Sequence, residues 1–325
     1  MTERDFLRTI LQNLSPNLLS GNEDAVAWKT IAKSLSVINV DSISWSTDAL
    51  PAQKYNPFLF GRKCVIVTIS DLYAKGVKPT YFLSAVNISS ENSLEDAKEV
   101  LEGIFSACRE YNIAYVGGDL GQTQELCLTG VAFGGSNHLI RRNGVKPHDT
   151  IWVTGAFGWT GLGFLKYLEG EKIPLELENK VLEKLLYPNA QRESYQTITK
   201  VASAAIDSSD GLAVSLNHLA RESNLTIELT NLPIDGEIVK YLGSRDYKFL
   251  KKIALYAGEE FEIIFTTSRS EEEILEIFEH NQLPAPIMIG RAKYGTPEVI
   301  DTWNGEKKVI TDNGWDSLES KTKKI

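Results

Sequence analysis

The chain has 325 residues, 42% hydrophobic and 24% charged, with 43 acidic against 34 basic side chains and a net charge of −9. This is a globular composition, which excludes a disordered, collagen-like or coiled-coil chain. The acidic balance leaves no basic footprint for phosphates, so nucleic acid is not an expected partner. Three widely spaced cysteines, Cys64, Cys108 and Cys127, form no CxxC pair. They read as small buried hydrophobes in a reducing cytoplasm rather than as a disulfide framework or a zinc site. No stretch approaches the roughly 20 apolar residues that cross a bilayer, so no membrane association is expected.

At about 100–200 residues per domain, the length suggests two domains. Apolar residues Phe6, Leu7, Ile10, Leu11 and Leu14 have helix spacing, and predict a helix over 3–14. A strand is expected over 35–46, ending at Ser46-Thr47-Asp48, followed by a loop from Pro51 to Pro57. Helices are expected over 62–75, despite its β-branched residues, and over 93–111, with strands at 81–88, 113–117 and 126–135. The turn-rich segment 141–149, RRNGVKPHD, is the best domain boundary, dividing the chain into 1–148 and 149–325. Beyond it come a strand at 151–154, a glycine-rich turn, and helices near 160–168, 176–186 and 192–203. The strand-like AAIDSS then meets a helix that a serine or aspartate would cap, and EEEILEIFEH forms a helix over 271–280. Residues 284–318 read as short strands and turns. The class is therefore α/β or α+β.

Acidic residues recur beside glycine or small hydroxyl residues: Glu23 and Asp24, Asp48, Asp71, Asp119, Asp207 and Asp210, Glu259 and Glu260. Converging carboxylates repel and need a cation, and hard oxygen donors favour Mg²⁺, which also binds substrate phosphates. Each residue alone has a plainer reading. Asp210 before Gly211 suits a helix cap, and Asp119 after two glycines suits a turn. The glycines at 155, 158, 161 and 163 lack GxGxxG spacing, so tight packing explains them as well as phosphate binding does. There is no GxxxxGK[ST] loop, no HRD or DFG segment and no GxSxG elbow, and the four histidines have no zinc spacing.

Taken in order, the segments GNEDAVAW, STDAL, GRKCVIVTISDLYAKGVKP, YVGGDLG, RRNGVKPHDTIWVTGAFG, YPNAQR, IDSSDGL, AGEEFEIIF, IGR and GWDSL resemble the thiamine-monophosphate kinase family. That family belongs to the aminoimidazole ribonucleotide synthetase-like superfamily, and the resemblance runs from about residue 3 to 318. It implies two α/β domains, the N-terminal one contributing strands to a barrel across a homodimer. It also implies phosphorylation of thiamine monophosphate to thiamine diphosphate by ATP with several Mg²⁺ ions.

By position, the resemblance makes Asp24, Ser46, Thr47, Asp48, Asp71, Asp119, Asp207 and Asp210 metal residues. Gly118, Asp119, Arg142 and Ser209 become ATP contacts, with Asp210 and Arg142 catalytic. Glu259 and Trp315 fall in segments that contact the thiamine moiety, and Tyr55 stands where the family places a substrate-contacting His-Phe. The chain departs from the family pattern at Asn22-Glu23 in place of Gly-Asp, at Tyr55-Asn56, at Glu260 within AGEEFE, and at Trp315-Asp316-Ser317-Leu318. The alternatives are another ATP-using enzyme of the superfamily with a different acceptor, and a non-catalytic nucleotide-binding paralogue.

Overall fold

The computed structural model describes residues 25–29, 34–242, 247–303 and 307–314. The helix expected over 3–14, Asp24 and Trp315 lie outside these residues. The described residues up to Leu139, together with Leu182–Arg192, form one unit, and Ile140–Val181 with the described residues from Glu193 onward form another. The units are therefore not contiguous in sequence, because an eleven-residue segment of the second half packs with the first.

The first unit is a five-stranded sheet with two helices. It contains β1 (Val26–Lys29), β2 (Leu35–Ser44), α1 (Pro57–Ala74), β3 (Lys78–Ile88), α2 (Leu94–Glu110), β4 (Ala114–Gln122) and β5 (Cys127–Ser136). The strand order is β1-β2-β5-β3-β4, with only the β3–β4 pair parallel. Asn56 caps α1 by accepting from the Leu59 N–H at 2.9 Å, with Pro57 at the first helical position. The β-branched run of α1 stays helical because this helix is buried nearly all round. A Cβ on Gly61 would stand 2.0 Å from the Val100 carbonyl oxygen, and one on Gly103 would stand 1.9 Å from that of Phe58. The backbones of α1 and α2 therefore touch. Burial raises the thiols of Cys64 and Cys108, the latter to about 12, so both stay neutral.

The segment Leu182–Arg192 is pinned here by polar contacts. Arg62, 6% exposed, donates to the Pro188 carbonyl at 2.5 Å, to Asn189 Oδ1 at 2.7 Å and to the Glu110 carboxylate at 3.1 Å. The Ala190 N–H donates to the Tyr111 hydroxyl at 3.0 Å.

The second unit holds β6 (Thr150–Val153), α3 (Trp159–Glu169), α4 (Leu175–Leu186, whose last turn belongs to the first unit), α5 (Tyr195–Val201), β7 (Ala204–Asp207), α6 (Leu212–Glu222) and β8 (Thr226–Leu229). These are followed by α7 (Gly236–Leu242), α8 (Tyr247–Leu255), β9 (Ile263–Thr267), α9 (Glu271–His280), β10 (Ile287–Lys293), β11 (Val299–Asp301) and β12 (Lys308–Ile310). The sheet order is β12-β11-β8-β10-β6-β9-β7. Strands β6, β7 and β9 are buried at every residue, as expected where helices cover both faces. One face packs Ile206, Ile264, Leu212, Leu216 and Leu255; on the other, Trp152, Phe265 and Phe278 stack in sequence.

Three local expectations are corrected. Asp119 is not in a turn but inside β4, paired in register with Ala85 of β3. Neither Ser209 nor Asp210 caps α6: the cap residue is Gly211, at φ +107°, and it has no side-chain cap bond. The strand read over 35–46 stops at Ser44, and Trp45–Asp48 form a single helical turn. The elements β1, β8, α7, α8 and β9 had no expectation from the sequence.

In an exposed helix, glycine to alanine gains about 1 kcal/mol. Gly103→Ala should instead lose about 1–3 kcal/mol through overpacking of α1 against α2. Urea unfolding followed by circular dichroism checks the sign.

Candidate active site

In the first unit the site is built on the inner, helix-facing side of the sheet. Period-two alternation along β2 turns Val37, Asn39, Asp41 and Ile43 inward. The last turn of α1 brings Asp71 over this face. Asn39 Nδ2 donates to Asp41 Oδ2 at 2.6 Å and to Asp71 Oδ2 at 2.5 Å, with the Thr68 carbonyl at 3.1 Å. Two carboxylate oxygens sharing one donor are at most about 5 Å apart, a spacing at which like charges raise each other's proton affinity or call for a cation.

The neighbouring floor is glycine. Asp41 pairs with Gly130, Gly130 with Ser84, and Ser84 with Gly118. A Cβ at Gly118 would lie 1.8 Å from the Ser84 carbonyl oxygen, and one at Gly130 would lie 2.4 Å from Thr68 Oγ1. A close carboxylate pair fits Mg²⁺, which takes one or two carboxylates and completes its shell with water and phosphate. Among the described residues no three His, Cys, Asp or Glu side chains converge on one metal position.

Asp41 was missed in the sequence because Ser46-Thr47-Asp48 drew attention seven residues later. The available signal was the inward alternation of Asn39 and Asp41 on β2. The structure spends the later triplet on its own turn. Asp48 Oδ2 accepts from the Ser44 N–H at 2.9 Å and the Thr47 hydroxyl at 2.5 Å. Ser46 donates from its N–H and its hydroxyl to the Glu125 carboxylate, at 2.7 and 3.0 Å. Asp119 lies one residue beyond Gly118, so alternation puts it beside Ala85 on the outer face, away from Asp71. Tyr55 is a core residue. Its ring packs edge-on to Trp45 and Phe60, and its hydroxyl donates to the Leu185 carbonyl at 3.2 Å.

In the second unit the loop from β7 to α6 meets the loop before β9. Asp207, 2% exposed, accepts from the Ser209 hydroxyl at 3.1 Å, and its carbonyl accepts from the Ser215 hydroxyl at 2.7 Å. Glu259 donates its N–H to the Ser209 carbonyl at 2.8 Å, and Glu262 donates its N–H to Ser208 Oγ at 2.9 Å. A Cβ on Gly258 would stand 2.3 Å from that Ser209 oxygen, so only glycine fits the crossing. Glu259 and Phe261 adopt φ of +67° and +52°, each costing about 1–2 kcal/mol for a residue with a Cβ. Gly314 also comes in here: its Cβ would lie 2.5 Å from the Asp210 carbonyl oxygen. The structure thus brings Asp207, Ser209, Asp210, Glu259 and the approach to Trp315 together.

Arg142 is placed elsewhere in this unit. It opens a 3₁₀ turn whose carbonyl accepts from the Ser223 hydroxyl at 3.1 Å, at the C-terminal end of α6. The Asp207–Asp210 loop is at the other end of that eleven-residue helix, about 16 Å away at 1.5 Å per residue. The glycine-rich turn before α3 is filled from within. Glu260 Oε1 accepts from the Gly158 and Thr160 N–H groups at 2.8 and 3.1 Å, and Glu262 accepts from the Thr154 hydroxyl at 2.5 Å. Packing is therefore what its glycines serve.

Comparison with known proteins places this arrangement. Residues 22–135 match the family model for the AIR synthase related protein, N-terminal domain. A thiamine-monophosphate kinase of Pyrococcus abyssi is 31% identical over 85% of this chain and 86% of its own. One of Nitrosopumilus maritimus is 28% identical over 86% of this chain and 88% of its own. The solved structure of AaThiL complexed with AMPPCP and TMP superposes with a TM-score of 0.83, covering 98% of this chain and 97% of that one at 24% identity, a likeness of fold. With a relative 31% identical over 85% of its length, the chain belongs to the thiamine-monophosphate kinase family.

Proposed function

We propose that this chain transfers the γ-phosphoryl group of ATP to the phosphate of thiamine monophosphate, giving thiamine diphosphate and ADP. The observation that carries the reading is identity at 31% over 85% of the chain with a thiamine-monophosphate kinase. The bond from the γ-phosphorus to the β–γ bridging oxygen breaks, and one forms to an oxygen of the acceptor phosphate. That oxygen is already anionic near pH 7, since a phosphate monoester's second pKa is about 6, so no strong general base is needed. Alignment of two polyanions and neutralisation of their charge are the tasks left to the protein.

Magnesium, when bound, supplies that neutralisation at the phosphate oxygens. In the first unit Asp41 and Asp71 would hold such an ion, and in the second Asp207 and Asp210 would hold one of their own, with Asp24 and, on the opposite face of the first sheet, Asp119 added on the family resemblance. Asp41 takes the role that resemblance gives to Asp48 with Ser46 and Thr47, whose polar groups serve their own turn. In the second unit Ser209 would meet ATP, and the resemblance adds Gly118 and Asp119 of the first. Arg142, about 16 Å from the Ser209 loop along α6, is not assigned to the phosphates. Glu259 and Trp315 would face the thiamine moiety, whose thiazolium ring is a fixed cation suited to a carboxylate.

A homodimer fits the outer face of the five-stranded sheet. Val40 and Tyr81 there and Val116 on its edge strand are each more than half exposed, an apolar surface that a second copy would cover. No helix among the described residues is long and apolar enough to cross a membrane, and thiols kept neutral by burial suit the cytoplasm.

Purified protein with ATP, Mg²⁺ and thiamine monophosphate should yield thiamine diphosphate by mass spectrometry, and none with excess chelator. Asp41→Asn and Asp71→Asn should each lower kcat about 100-fold and raise the Mg²⁺ concentration needed for half-maximal rate. Asp48→Asn should lower stability by about 1 kcal/mol with kcat little changed. If instead Asp48→Asn abolishes turnover and Asp41→Asn does not, the assignment is reversed. Val40→Lys should convert the dimer to monomer in light scattering of the eluted protein.

A further inference from the structure

Glu260 is 8% exposed and lies between two residues, Glu259 and Phe261, that both hold left-handed backbone conformations. Its Oε1 accepts from the Gly158 and Thr160 amides at the start of α3. Those amides have no partner within the helix, and the positive end of the helix favours an anion. A run of left-handed residues persists only where its surroundings over-determine it. The flanks of this run are tied by the Glu259 N–H on the Ser209 carbonyl and the Glu262 N–H on Ser208 Oγ. Its centre is tied by the Glu260 carboxylate.

We propose that Glu260 is a positioning residue, which clamps the Glu259–Phe261 turn onto the first amides of α3 and so holds Glu259 toward the thiamine end of the substrate. The inference rests on the kinase reading above. Ser209, on the nucleotide side, touches this turn through its carbonyl but has a second tie of its own. Its hydroxyl is held by Asp207, which continues the β7 ladder through Ile263. Loss of the clamp should therefore separate the two substrates.

Steady-state kinetics of the full chain with ATP, Mg²⁺ and thiamine monophosphate test this. Glu260→Ala should raise KM for thiamine monophosphate about tenfold, with KM for ATP and kcat within about threefold of the unaltered protein. Glu260→Gln, which keeps an accepting oxygen for both amides, should restore KM to within about threefold. Glu260→Asp, one methylene shorter, should show the same split as the alanine variant and replaces it if that variant does not fold. An unchanged KM for thiamine monophosphate, or an equal rise in both KM values, overturns the proposal even if Tm falls, since a residue that only stabilises the fold would act in that way. Absence of thiamine diphosphate from the unaltered protein overturns the kinase reading, and the inference with it.

Discussion

Carboxylates gathered in one place repel one another, and in each half of this protein several of them are held by hydrogen-bond donors. In the first unit one amide, Asn39, donates to both Asp41 and Asp71. In the second, Asp207 takes the Ser209 hydroxyl, Glu262 takes Thr154, and Glu260 takes two helix amides. Each of these donors fixes the direction in which a carboxylate oxygen points. The rest of the structure is arranged around that requirement.

Close backbone approach is the means. Gly118 lets β4 approach Ser84 of β3, Gly130 makes room for Thr68 and Phe82, and Gly258 lets the Glu259 turn cross the Ser209 carbonyl. The same device packs α1 on α2 through Gly61 and Gly103, which fixes the helix that carries Asp71. A helix buried nearly all round cannot slide without losing apolar contacts, so Asp71 is held by packing as much as by hydrogen bonding. Backbone strain at Glu259 and Phe261 sits where the second unit's acids meet, and it is sustained by bonds to the β7–α6 loop and to the start of α3.

Much of this was legible from local chemistry. The capped helix over Leu94–Glu110, the helix over Glu271–His280 and the short buried strands follow their hydrophobic periods closely. The IDSSDG loop was legible as a strand end running into a helix, from its apolar start and its serine and glycine. What misled was proximity in sequence. Ser46-Thr47-Asp48 has the residue types of a metal triplet, yet the three side chains satisfy themselves locally and with Glu125. Asp41 carries no such flag, and its value comes from a helix thirty residues away. Asp119 follows two glycines and reads as a turn, although β3 captures it as a strand through parallel pairing.

The sequence by itself determined the family, the mixed α/β class and the main helices, because these depend on short-range periodicity and on motif order. Tertiary structure alone decided which acids meet. Strand alternation, pairing register and helix packing set whether a side chain faces Asp71 or the opposite face of the sheet, and a shift of one residue reverses that outcome. Tertiary structure likewise assigned Tyr55 to the core, Glu260 to the start of α3, and Leu182–Arg192 to the first unit through Arg62. Each of these is a contact between residues distant in the chain, whose energy no local pattern records.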